Sequence, residues 1–172
     1  MTCQAGGGQE ETDYDRERRK AFIAKYRRRY LYKTLEVRRA TKLTAHRARP
    51  HSERDLRDFA RLLEGEQCAA AMKRGESFEF PYDEEGFKDR YTRQHRNEPC
   101  STIVAHLSKD GLMFIHLTQN RSLTPREAAR VQSFPDWFQF PVSRTSQFRA
   151  IGNAVPPLVA EAVAPSGEMH IN

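Results

Sequence analysis

The sequence predicts an α+β fold. Three observations carry that reading: apolar residues at helical spacing in the first half, two β-rich runs around Lys109-Asp110-Gly111, and a fully signalled helix start at Thr124. The expected order is one or two N-terminal helices, a short β-hairpin or small sheet, and two C-terminal helices.

Met1 to Asp15 is rich in Gly, Gln and Glu and is expected to be a disordered tail. Its glycine triplet, Gly6 to Gly8, has no GK[ST] after it and is not a phosphate loop. From Arg16 to Leu35, Phe22, Tyr26 and Tyr30 recur every fourth residue, which predicts a helix with basic outer faces. Pro50 interrupts the chain. Ser52 and Asp55 then have capping-box spacing, and Leu56, Phe59, Leu62 and Leu63 form a stripe. This helix is expected to reach about Met72, weakened at Gly65 and closed by Gly75. Glu76 to Arg96 reads as a loop with short extended pieces.

Ser101–Leu107 and Leu112–His116 are β-rich, and the Asp-Gly between them is a hairpin turn signal. In Thr124-Pro125-Arg126-Glu127, Thr124 can cap a helix. Pro125 fits the first helical position, and Glu127 can bond back to the Thr124 amide. The helix should run to Gln132, with Pro135 as its stop. A last short helix starts at Pro156 or Pro157 and carries Leu158, Val159, Ala162 and Val163. There is no internal repeat.

Hydrophobic residues make up 38% and charged residues 30% of the 172, so the core is thin and part of the chain is surface, extended or in need of a partner. No apolar run approaches the roughly 18 residues of a membrane span, and no leader pattern opens the chain, so the expected location is the cytoplasm. Cys3, Cys68 and Cys100 are odd in number and far apart, which argues against a disulfide framework. The six histidines lack ligand spacing, so no metal site is expected.

The net charge of +6 is unevenly placed: Arg16 to Arg54 holds fifteen Lys/Arg against three acids, so the remainder is negative. A cationic block of this kind fits a polyanion such as nucleic acid, and it also fits a solvated basic helix.

From Phe87 to Ala164 the chain reads FKDRY, STIVAHLSKDGLMFIH, RSLTPREAARVQSFPDWFQF and SQFRAIGNAVPPLVAEAVA. This order resembles the closing motifs of the C5-cytosine DNA methyltransferases. Ala48 to Leu63 weakly resembles the recognition-region helix of one branch of that family. The resemblance implies part of a target-recognition domain plus C-terminal helices that pack on a Rossmann-like domain absent from this chain. The implied divisions are a tail at 1–15, basic helices and recognition region at 16–120, C-terminal motifs at 121–164 and a tail at 165–172.

In IGNAVPP, Gly152 permits a positive φ, Asn153 offers two donors and an acceptor, and the prolines start a helix. The resemblance implies that Asn153, with the Ala154 and Val155 backbone, touches the methionine end of S-adenosylmethionine. A plain structural turn with Asn153 as a cap is the competing reading. The Thr124–Ser133 helix is implied to be structural, with Arg126 and Arg130 on one face bonding backbone, acids or phosphate. Arg90, Arg93, Gln94 and Arg96 fall in the implied recognition region, where arginine and glutamine can bridge base edges. Phosphate contact or solvent exposure would serve each equally well.

Three family segments have no counterpart in these residues: the Pro-Cys nucleophile loop, the Glu-Asn-Val segment, and the glycine-rich cofactor turn. Pro99-Cys100-Ser101 lies where the family has no nucleophile, so no catalytic residue is assigned. The implied partners are double-stranded DNA and a second polypeptide carrying the N-terminal motifs. A non-catalytic DNA-binding fragment or a truncated gene remnant is the alternative.

Overall fold

Helix α1, Glu53–Ala60, starts at the capping box read from the sequence: the Ser52 hydroxyl accepts from the Asp55 amide at 3.1 Å, and Asp55 accepts from the Ser52 amide at 3.4 Å. The computed structural model describes residues 30–37, 42–81, 91–109 and 111–167. The expected disordered tail lies outside them, and so does the Arg16–Leu35 helix apart from a π-helical turn at Tyr30–Thr34 and Leu35 after it.

The leucine stripe does not run on to Met72 as one helix. The first helix is capped at Arg61; the chain then turns through Gly65 at φ +82° and starts a separate helix α2, Cys68–Lys73. Phe59 and Leu62 are buried, whereas Leu56 and Leu63 stay exposed. A first core gathers Phe59, Leu62, Cys68, Ala71, Phe78 and Tyr91 against Leu112 and Ile115. Edge-to-face rings at Phe59–Tyr91 and Phe78–Tyr91 fix its interior.

The predicted hairpin around Asp110-Gly111 does not form, and the β part of the α+β reading is corrected. Among the described residues, β structure is limited to three isolated bridges: Gln67 with Thr92, Arg93 with Ile115, and Ile115 with Ser122. Ser101–Val104 passes instead into a 3-10 turn, Ala105–Ser108. The Leu112–His116 run pairs forward. His116 N donates to Arg121 O at 2.7 Å, and Leu123 N to Phe114 O at 2.8 Å. Adjacent Phe114 and Ile115 therefore point into different cores, as an extended chain requires.

Helix α3, Pro125–Val131, has the predicted cap: Thr124 Oγ1 accepts from Glu127 N at 3.2 Å, and Glu127 accepts from Thr124 N at 2.7 Å. Helix α4, Arg144–Asn153, was not predicted; Ser143 caps it. Helix α5, Pro157–Gly167, begins at the predicted proline. The second core packs Ala128 and Ala129 of α3 and Phe148 and Ile151 of α4 on Ile103, Leu107, Phe114 and Leu123. It draws on residues either side of position 120. No helix among the described residues is long and apolar enough to cross a membrane.

Candidate functional site

The corner after α3 positions the IGNAVPP segment. Ser133 takes φ +62°, turning the chain back, and its amide donates to Arg130 O at 3.0 Å. Asp136, of the FPD sequence, is buried and holds Arg130 through two bonds, Nε–Oδ1 at 2.8 Å and Nη2–Oδ2 at 2.6 Å. Tyr30 donates its hydroxyl to Arg130 O at 2.5 Å, and Asp136 N donates to Leu35 O at 2.8 Å, which ties the corner to the N-terminal turn.

Two side chains of this corner then fix the following helices. Gln132 Nε2 donates to Ile151 O near the end of α4 at 3.3 Å. Ser133 Oγ accepts from Leu158 N in the first turn of α5 at 3.1 Å. Between them Ala154 is extended, and its N–H donates to Ile151 O at 3.3 Å. Pro156 O accepts the first bonds of α5, from Val159 N and Ala160 N.

Gly152 does not supply the expected positive φ, because it is the penultimate residue of α4. Asn153 is exposed at the end of α4, and its amide makes no side-chain hydrogen bond among the described residues, so it is not serving as a helix cap. The apolar side chains beyond it also face outward: Val155 is 62% exposed, Leu158 42%, Val159 50% and Val163 56%. A cleft of about 640 Å³ opens beside the start of α5, with Lys33, Glu36 and Glu161 among its lining residues.

The residues expected to face DNA separate. Arg93 is buried, and its five N–H groups all point inward. Nε donates to Leu62 O at 2.9 Å, Nη1 to His116 O and Gln119 O at 2.8 and 3.1 Å, and Nη2 to Phe59 O and Asn120 Oδ1 at 2.5 and 2.7 Å. Gln94 is buried too. Its amide donates to Met113 O at 2.9 Å and accepts from Ser101 N at 3.2 Å. Both were expected in the base-reading region; in this structure their donors bind the loops they organise. Arg96 is exposed and grips Glu64, whose carboxyl it holds at a pKa of about 2. Arg90 lies outside the described residues.

Arg126 is another buried arginine that no periodicity announces. Nε donates to Thr44 O at 3.0 Å, Nη2 to Thr44 Oγ1 and Phe138 O at 3.1 and 2.6 Å, and Nη1 to Pro135 O at 3.2 Å. Arg126 and Arg130 are thus both structural here. Glu127 caps α3 and also receives Arg121 at 2.8 Å on each oxygen. Burial opposes its ionisation, but Arg121 and the Thr124 amide outweigh it and bring its pKa down to about 2. Burial pushes the Cys100 thiol up to about 11, which suits a packed side chain and not a nucleophile. Among the described residues no group of three or more His, Cys, Asp or Glu could hold a metal ion.

The profile of the C-5 cytosine-specific DNA methylase family matches residues 9–167. The Type II methyltransferase M.Bpa9945I of Bacillus paralicheniformis is 40% identical over 134 residues, 75% of this chain and 30% of that protein. M.AgeI of Thalassovita gelatinovora is 46% identical over 90 residues, covering 52% of this chain and 21% of the relative. M.AplI of Arthrospira platensis is 63% identical over 78 residues, 42% of this chain and 23% of its own. The chain therefore spans between 21% and 30% of the length of these curated relatives. With a profile match over most of its length, the chain belongs to the C-5 cytosine-specific DNA methylase family.

Proposed function

We propose that these residues are the closing part of a DNA (cytosine-5)-methyltransferase, which moves a methyl group from S-adenosylmethionine to C5 of cytosine in double-stranded DNA in the cytoplasm. The nucleophile loop and the glycine-rich cofactor turn come from outside these 172 residues, on a polypeptide that carries the N-terminal motifs. Residues 16–120 supply recognition, and 121–164 close the cofactor pocket.

One observation carries the reading: the α4–α5 junction presents an Asn153 amide with no partner among the described residues, beside an exposed apolar face of α5 and held by Gln132 and Ser133. That combination suits a wall that completes a site built elsewhere. Asn153 can both donate to a carboxylate and accept from an ammonium, so it fits the amino-acid end of the cofactor. The cofactor supplies an electrophilic methyl group. The chain's own part is to bind, orient and exclude water, since among the described residues the junction itself, 153–157, carries no acid, base or thiol.

Mixing this chain with a polypeptide that carries the Pro-Cys and Glu-Asn-Val segments, labelled cofactor and duplex DNA tests the proposal. Label should enter cytosine in the mixture beyond the level of either chain alone. No transfer above those controls would refute it and leave a DNA-binding role without catalysis.

A further inference from the structure

We infer that the cleft between the 42–48 strap and the start of α4 is a subsite for a DNA backbone phosphate, held by Arg47 and Arg144. This rests on the DNA-acting role proposed above and adds a named contact to it. The cleft measures about 350 Å³ and is lined by Leu43, Ala45, His46, Arg47, Arg144 and Gln147, with no carboxylate. The cleft beside α5 has Glu36 and Glu161 in its wall, and the one beside Gly65 has Glu64 and Glu66.

The pairing pattern of the described arginines singles out the same place. Arg54, Arg57, Arg61, Arg74, Arg96, Arg121 and Arg130 each hold a carboxylate. Arg49, Arg93 and Arg126 bind carbonyl oxygens inside the protein. Arg47, Arg144 and Arg149 have no carboxylate partner among the described residues, and the first two share this cleft. Exposed Lys42 precedes them on the strap, likewise without an acid partner.

The strap is fixed although its own charge is not used. Arg126 grips Thr44 O and Ala45 O, the latter through its backbone N–H at 3.0 Å. Ala45 takes φ +59°, a strained backbone for a residue with a Cβ. His46 bonds Thr124 Oγ1 at 3.0 Å, Arg144 donates to Ala48 O at 3.1 Å, and Arg49 donates to Lys109 O and Leu107 O. The residues flanking Arg47 are pinned, and Arg47 itself is exposed where it lines the cleft. A preorganised cation in an acid-free cleft suits a phosphodiester, which attracts arginine strongly and whose counterions are released on binding.

The test uses the full chain and a labelled duplex, with affinity measured across a salt series. Arg47→Gln is compared with Arg57→Gln, which removes the same charge from a paired arginine elsewhere. Arg47→Gln should weaken binding about 3- to 10-fold at low salt and reduce the log–log salt slope by about 0.9, while Arg57→Gln leaves the slope near wild type. Arg47→Lys should restore most of the slope, and the melting temperature of Arg47→Gln should be unchanged. Equal behaviour of the two Gln variants, or no DNA binding by the wild type, overturns the subsite. So does poly-glutamate binding with the same Arg47 dependence, which would assign the cleft to an acidic polypeptide. Failure of methyl transfer in the mixing experiment would leave this readout intact, so the two ideas fail separately.

Discussion

A Cβ added to Gly152 would lie 2.6 Å from the Val104 carbonyl oxygen and 2.8 Å from the Ala105 Cα. The obstacle is backbone, which cannot rotate aside. This contact locks α4 to the 3-10 turn at Ala105–Ser108 and so sets where Asn153 emerges. Gly152→Ala should cost about 1–3 kcal/mol through overpacking. Urea denaturation of the chain measures it, and an unchanged midpoint would show that the helix and turn can separate freely.

The two capping boxes were legible in the sequence because each is a local exchange within four residues, at Ser52–Asp55 and Thr124–Glu127. The exposed apolar face of α5 was legible as a helix with no sheet of its own to cover it. The hairpin expectation failed because residues 114–116 bond forward to 121–123, a pairing organised by a group distant in sequence. Arg93 binds His116 O and Gln119 O and so gathers the turn between those segments. Nothing local separates Arg93 or Arg126 from a surface arginine. Helix α4 was hidden because only Phe148 and Ile151 of its ten residues are buried, too few for a stripe. The cap at Ser143 after Pro141 was its one available signal. For Asn153, the resemblance supplied the residue and the structure supplied its exposure.

Arg126 holds four oxygens from Thr44, Pro135 and Phe138. Arg126→Met would strip those part-buried oxygens of their donors beside a fully buried side chain and should destabilise by about 3 kcal/mol. Arg126→Lys should rescue little, because one ammonium cannot reproduce the planar fork. Thermal melts of both variants decide this. A lysine variant as stable as wild type would show that charge alone, not geometry, holds the strap.

Glu127 sets an acid limit on the fold. Its folded pKa of about 2 lies below its ordinary value of 4.5. A depressed carboxyl contributes its stabilisation fully above the unfolded pKa and loses it as pH falls through that value towards the folded one. The relevant window is therefore about pH 4.5 down to 2; the full shift corresponds to about 3 kcal/mol, which solvent screening of this partly exposed pair brings to about 2 kcal/mol at neutral pH. Glu127→Gln should be less stable than wild type at pH 7, and the gap should narrow as pH drops below 4.5 and close only near the folded pKa. A gap that stays constant would place the acid sensitivity on another carboxylate.

Cys100 should be a slow thiol. At a pKa of about 11, on the order of one thiol in a thousand is ionised at pH 8. Alkylation of the native protein, followed peptide by peptide by mass spectrometry, should modify Cys100 roughly a hundredfold more slowly than the same residue in urea. Rapid native labelling would mean that the packing around Ile103 and Phe148 opens readily, and with it the support beneath α4.

Asn153→Ala separates the two readings of the α4–α5 junction. The amide has no partner among the described residues, so its loss should leave the melting temperature of the chain within the error of measurement. In the assembled enzyme the same change removes hydrogen bonds to a charged ligand group, each worth about 1.5–3 kcal/mol. The KM for S-adenosylmethionine should then rise about tenfold or more, and the KM for DNA should not move. Asn153→Asp should be worse than alanine, because it sets a negative charge against the cofactor carboxylate. A variant that melts early, with an unchanged KM for the cofactor, would show that the residue only terminates α4. The pocket wall would then have to come from the Ala154 and Val155 backbone alone.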